Sequence, residues 1–182
     1  MNDENLTKPI SIQEQAKVEA FSLSEEKELL NYLDSFKDYE QYKYIVLLQL
    51  HTGMRISEIL ALKRNKVDLK NNTITVDSTL TKDENGKYII GTHTKTYDRK
   101  HNVDRGKRTF PIPEKAIPLL KEIINHSTLN INDLLFWDDR RNSLVLPRRI
   151  LNFLQNKNKD FTTHRVRHTL LQDVKKLVFL LL

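Results

Sequence analysis

The chain has 182 residues, with 30 Lys and Arg against 24 Asp and Glu, a formal net charge of +6 and no cysteine. It is long enough for one domain with a buried core, and without cysteine it holds no disulfide framework, Cys-based zinc site, iron–sulfur cluster or cysteine nucleophile. The positive balance favours an anionic partner, nucleic acid first, although a merely soluble basic protein would carry the same excess.

Residues 1–20 have few large apolar groups and no glycine, which predicts a solvated arm or linker ahead of a folded unit that begins at Phe21. A helix starts there: Ser22 or Ser24 can cap it, Glu25 and Glu26 fill its first turn, and Leu29, Leu30 and Leu33 follow at helical spacing. The apolar run from Tyr42 to Leu50 predicts a second helix that stops at Gly53, a residue able to take positive φ. A third is expected over Ile56 to Lys63, with Ile56, Ile59, Leu60 and Leu62 on its buried side.

From Asp68 the period changes to two, with Ile74 and Val76 alternating with Thr73, Thr75 and Asp77 as in a half-buried strand. Asn85-Gly86 is a hairpin signal. Strands are then expected at Tyr88 to Ile90 and at Arg108 to Ile112, and the three together predict a small antiparallel sheet. The polar, basic stretch Tyr97 to Lys107 between the last two reads as a mobile loop. Helices return at Glu114 to Asn125, where Pro118 obscures the start, at Pro147 to Lys157 with proline in the first turn, and from Thr163 toward the end.

Three basic groupings fall on three of these elements. In Thr52-Gly53-Met54-Arg55-Ile56-Ser57-Glu58, Arg55 sits at a helix start, where its fork of donors suits a phosphate oxygen, and Glu58 can hold the guanidinium from the same face. An ordinary surface ion pair is the other reading. Lys95 in Thr94-Lys95-Thr96 follows a hairpin and can reach a groove of nucleic acid or protonate a leaving oxygen, although many such lysines only solvate a sheet edge. In Thr162-Thr163-His164-Arg165-Val166-Arg167-His168-Thr169, Thr163 is the expected N-cap, and His164, Arg167 and His168 share one helical face. The two histidines have metal-ligand spacing, but Arg165 replaces the Glu of the HExxH pattern and the neighbouring cations repel a metal.

Taken in order, these pieces resemble the catalytic domain of the tyrosine recombinases, the phage integrase family. The matching residues are Thr-Gly-Met-Arg-Ile-Ser-Glu-Ile-Leu at 52–60, Thr-Lys-Thr at 94–96, Arg-Thr-Phe-Pro-Ile at 108–112 and His-Arg-Val-Arg-His-Thr at 164–169. The resemblance implies a mixed α+β fold, mainly helical, with a small antiparallel three-stranded sheet. It also implies strand cleavage and rejoining on double-stranded DNA, in which a tyrosine attacks a backbone phosphate and stores the bond energy in a 3′-phosphotyrosyl link.

In that scheme Arg55 and Arg167 clamp the non-bridging phosphate oxygens, Lys95 is the acid for the departing 5′ oxygen, and His164 assists proton transfer or orientation. Glu58 is the supporting carboxylate and His168 a structural neighbour. Arg99, Lys100, Lys107 and Arg108 are expected contacts to DNA. The family implies no cofactor, no metal and no small-molecule substrate; its partners are DNA and other recombinase subunits.

The match breaks toward the end. In the family a Leu-Gly-His or Leu-Gly-Trp motif and then the tyrosine nucleophile follow the second arginine, whereas all six tyrosines here occur at or before Tyr97. The separate N-terminal DNA-gripping domain of the family is also not recognisable in residues 1–20. The expectation is therefore a catalytic domain over 21–182, incomplete at its C-terminal end and unable to cleave DNA alone. The alternative is a non-catalytic DNA-binding or regulatory remnant that joins a full-length recombinase through the apolar stripe Leu170, Leu171, Val174, Leu177, Val178 and Leu181. The longest apolar run, Leu177 to Leu182, is far below the roughly 20 residues of a spanning helix, and the polar start offers no signal peptide. The expected setting is cytoplasmic, with no membrane partner.

Overall fold

A computed structural model describes residues 19–37, 40–98, 100–101 and 103–170. Helix α1 (Leu23–Asp34) opens with a capping box: the Ser22 hydroxyl accepts the Glu25 N–H, and the Glu25 carboxylate accepts the Ser22 N–H. Its Leu29 and Leu33 are fully buried.

Helix α2 (Gln41–Thr52) is the centre of the fold, with Tyr44, Ile45, Val46, Leu48, Gln49 and Leu50 all buried. Later helices cover it on several sides: α4 (Ala116–His126) and α5 (Pro147–Lys157) both pack on it. Gly53 ends α2 at φ 63°, and a Cβ there would press on Leu170, so the turn needs glycine twice over.

Helix α3 is shorter than the sequence predicts, Ile56–Ile59 rather than Ile56 to Lys63. Leu60, Ala61 and Leu62 are all buried, and the backbone is drawn away from helical pairing. Leu62 C=O accepts the Leu135 N–H, and Arg64 N–H donates to Asp133 C=O. Tertiary pairing outcompetes the helix after a single turn.

Strands β1 (Val67–Asp68) and β2 (Thr73–Val76) precede a hairpin of β3 (Thr79–Lys82) and β4 (Tyr88–Gly91). The ribbon of β5 (Tyr97–Asp98) and β6 (Val103–Asp104) leads to β7 (Arg108–Pro111). The fold is mixed α+β with a three-stranded antiparallel sheet, in the order β1-β2-β7. Its membership differs from the expected one: Tyr88 to Ile90 pairs with residues 79–82 across the Asn85-Gly86 turn, and the third strand is Val67–Asp68. Segment 79–82 carries one large buried apolar side chain, Leu80, so it showed no alternation.

The stretch Tyr97 to Lys107, expected as a mobile loop, contains a short two-stranded ribbon. Tyr97 pairs with Asp104 and Asp98 with Val103; Arg99 lies outside the described residues. A further hairpin, β8 (Trp137–Asp138) with β9 (Ser143–Leu144), precedes α5. Pro118 sits inside the first turn of α4, where no backbone donor is required, and Pro147 opens α5.

The last described helix, α6, runs over 163–170. Its cap is Thr162, one residue before the predicted one: Thr162 Oγ1 accepts the Arg165 N–H at 3.2 Å. Of the apolar stripe expected toward the end, only Leu170 is described, and the rest lies outside the described residues. The start of the fold holds this helix down. Phe21 N–H donates to the Thr169 hydroxyl at 3.1 Å, and the Phe21 and Phe161 rings meet at 4.9 Å. Arg165 stacks over Phe21 and reaches Glu25 at 2.8 Å and the carbonyls of Glu19 and Ala20.

Candidate functional site

The turn between α2 and α3 presents Arg55. It is the residue before α3, with extended backbone. Glu58, one turn on, takes the Arg55 backbone N–H at 2.9 Å and the Arg55 guanidinium at 3.0 Å.

Glu58 has a second cation. Arg108, from β7, places both terminal nitrogens on the same carboxylate, at 3.2 and 2.8 Å. The Glu58 side chain is 0% exposed, whereas Arg55 and Arg108 keep 30% and 36% of theirs. Burial pushes the Glu58 carboxyl up, but the bonds from Arg108 and Arg55 outweigh it and hold the group below the usual carboxylate range. The result is a buried anion that fixes two guanidiniums from different elements.

Lys95 follows β4 on a segment tied to the β5–β6 ribbon. Asp104 is the knot: one carboxylate oxygen accepts the Thr94 N–H at 2.7 Å, and the other accepts the Thr94 hydroxyl and the Gly106 N–H. Thr94 is therefore buried, while Lys95 next to it is exposed. Desolvation pushes the Asp104 carboxyl up, and the donors from Thr94 and Gly106 bring it to a net position below its ordinary value.

His164 and Arg167 come from α6. His164 is exposed and Arg167 half-buried. The Arg167 guanidinium is pushed below its ordinary value by burial and by the charge of Arg55, with Arg108 adding to the effect and Glu58 opposing it. An arginine remains charged under such pressure, and a neighbouring cation, Arg55, is part of its cause.

These elements converge. Arg55, Lys95, His164 and Arg167 line one cleft of about 170 Å³ together with Gln49, Ile56, Ser57 and Thr163. Four side chains that the sequence places more than a hundred residues apart at their extremes thus share one small cationic opening. A larger groove of about 660 Å³ adjoins it, sharing Ser57 and Lys95 and running past His93 and Tyr97 to Pro147. Its His93 and Tyr97 rings stack at 3.7 Å, nearly parallel at 4°.

Other expected residues lie elsewhere. His168 is half-buried on α6 and is not part of the cleft lining. Lys107 lines a separate groove with Lys63 and Asp77. Lys100 is exposed at the tip of the β5–β6 ribbon, and Arg108 turns inward onto Glu58. Arg99 lies outside the described residues.

Gln49 reads in sequence as one polar interruption in an apolar helix, and Asp104 as one charge in a basic run, so no local pattern marks either. Among the described residues, no group of His, Asp and Glu side chains could hold a metal ion, and no helix is long and apolar enough to cross a membrane.

Comparison with known proteins gives the fold and the sequence a common context. The chain is 26% identical over 187 residues to the transposase from transposon Tn916 of Enterococcus faecalis, covering 93% of this chain and 42% of that protein. It is 26% identical over 191 residues to the integrase of Staphylococcus phage L54a, covering 92% of this chain and 54% of that one. It thus spans about half the length of these relatives.

The Tn1549 transposon integrase, solved in complex with transposon right end DNA, superposes with a TM-score of 0.68 at 19% identity, over 87% of this chain and 53% of that one. XerA recombinase does so with a TM-score of 0.55 at 22% identity, over 83% and 48%. These structures share the fold. The family model described as the phage integrase family matches residues 20–176, nearly the whole described fold. The chain belongs to the phage integrase family.

Proposed function

We propose that the chain binds double-stranded DNA in the cytoplasm and seats one backbone phosphate in the cleft of Arg55, Lys95, His164 and Arg167, as the phosphate-handling part of a strand-cleaving and rejoining recombinase. The observation that carries this reading is the convergence of those four side chains on one opening of about 170 Å³. A phosphodiester brings negative oxygens that need several fixed donors, and the cleft supplies two guanidiniums, an ammonium and an imidazole.

Arg55 and Arg167 take the non-bridging oxygens and neutralise the charge that grows there in the transition state. Lys95 lies beside them on the edge shared with the larger groove, where it can give its proton to a departing 5′ oxygen. His164 lies exposed in the same opening and orients the phosphate or relays a proton. Relatives and neighbours described as transposases, integrases and recombinases, some in complex with DNA, support this reading.

In the family's order the nucleophilic tyrosine follows the second arginine, and none of the six tyrosines of this sequence does. The 182-residue chain is therefore proposed to bind DNA without forming a covalent link to it. A second reading is a DNA-binding or regulatory partner of a complete recombinase.

Gel shifts with duplex DNA and a suicide-substrate cleavage assay test both. Binding is expected to weaken at least tenfold when Arg55 and Arg167 are both replaced by alanine, and no covalent adduct is expected. Unchanged affinity in the double variant would remove the cleft from the interface, and a stable adduct would overturn the claim that the chain does not cleave. Inhibition of a complete relative by an excess of this chain would favour the second reading.

A further inference from the structure

The cleft residues Gln49 and Arg167 carry two buried polar atoms, Gln49 Oε1 and Arg167 Nε, to which the proposed reaction assigns no part. Gln49 belongs to the buried face of α2 and is 1% exposed, yet it lines the cleft. Its Nε2 donates to the Met54 carbonyl at 3.2 Å. That bond fixes the amide, because the reverse orientation would set two carbonyl oxygens against each other. Gln49 therefore turns Oε1 away from Met54, and this atom has no hydrogen-bond partner among the described residues. Arg167 Nε, a donor lining the same cleft, is likewise buried and without an acceptor among them.

One orphan is an acceptor and the other a donor. A phosphate cannot satisfy Gln49, since its oxygens also accept and would be repelled by the amide oxygen. Of the donors around the cleft, Arg55 already has Glu58, whereas Arg167 Nε is buried and uncommitted. A guanidinium has a fork of two terminal nitrogens and a third donor on its flank. If the flank is held, the fork is left in one orientation.

We propose that Gln49 is a positioning residue for Arg167: when a phosphate takes the two terminal nitrogens of Arg167, the Nε–H of the same guanidinium donates to Gln49 Oε1. Arg167 then meets the phosphate with one fixed plane, referenced through Gln49 to Met54 and so to Arg55 on the next residue. The two arginines of the clamp are set by one buried amide. This inference rests on the reading that the cleft receives a phosphate.

The test uses the full chain with nitrogen-15-labelled arginine, observed by NMR with inorganic phosphate and with a short duplex as separate probes. The Arg167 Nε–H signal is assigned by its loss in Arg167→Lys. Phosphate or duplex is expected to slow its hydrogen exchange at least tenfold in the unmodified chain. The slowing should vanish in Gln49→Met, which keeps the volume without the acceptor, and return in Gln49→Glu, which restores an acceptor.

If the Arg55 side-chain signals do not move with either probe, the phosphate reading fails and the Gln49 inference with it. If Arg55 responds but Arg167 Nε–H exchanges equally fast in the unmodified chain and in Gln49→Met, only the Gln49 inference is overturned. Should Gln49→Met not fold, a through-hydrogen-bond coupling between Arg167 Nε–H and Gln49 Cδ in the bound, unmodified chain supports the inference, and its absence overturns it.

Discussion

Glu58 is a buried anion with no side-chain solvent exposure, and its two cations approach from the residue before α3 and from β7. Removing one member of a buried ion pair leaves the others uncompensated and typically costs about 3–5 kcal/mol. Here the guanidiniums are about a third exposed, so water recovers part of the loss, and Glu58→Ala is expected to destabilise the chain by about 2–3 kcal/mol in urea unfolding. The carboxyl is depressed in the folded state. Its contribution is therefore present above the ordinary carboxylate range and lost as pH falls through the folded value, and the gap between parent and variant should close in acid.

Residue by residue, legibility followed motif spacing. Arg55, Lys95, His164 and Arg167 stood out because each lies in a short pattern with its own local chemistry, and the structure brings all four to one cleft. Arg108 sits in an equally basic run, but strand geometry turns it toward Glu58, a partner fifty positions away. Gln49 matters through a carbonyl five residues on and a helix at the other end of the sequence, and no local pattern encodes that.

Helices with caps were the legible elements. Ser22, Gly53 and Pro147 mark boundaries that the structure keeps, because each acts through its own backbone geometry. Short strands were less so: Thr79–Lys82 and Val67–Asp68 gain their identity from partners, not from their own alternation.

Two ties between elements have measurable consequences. The Arg165 hydrogen bond, with the Ser22 backbone and hydroxyl, holds the Glu25 carboxyl at about 2. Glu25→Gln should lower stability at neutral pH, and the difference should persist above about 4.5 and shrink as pH falls toward 2, read from urea midpoints across that range. At Gly106 an added Cβ would overlap the Thr94 and Thr96 hydroxyls. Overpacking of this kind typically costs about 1–3 kcal/mol, and Gly106→Ala should also displace the neighbouring Lys95 segment. A drop in duplex affinity, by gel shift, should accompany the loss of stability.

For the molecule as a whole, the net charge of +6 is not spread evenly in its effect. Some cations are spoken for by carboxylates, such as Arg108 by Glu58, Arg165 by Glu25 and Lys66 by Asp77. The cleft and the exposed tip at Lys100 are two of the places where cationic side chains face outward. Each phosphate neutralised contributes about −0.9 to the slope of log affinity against log salt. Replacing Lys100 by alanine should make that slope shallower by about one if the tip meets DNA. An unchanged slope would strike it from the contact surface.

The contact between Phe21 and α6 has a mechanical side. Phe21 N–H is fastened to Thr169, and Arg165 grips the carbonyls of Glu19 and Ala20. Those two anchor points lie on either side of Arg167 along one helix. A load applied to the chain ahead of Phe21 would thus reach the helix that carries Arg167, within a turn of that residue. Anything joined to that leading segment holds a short tether to the cleft that Arg55 and Arg167 line.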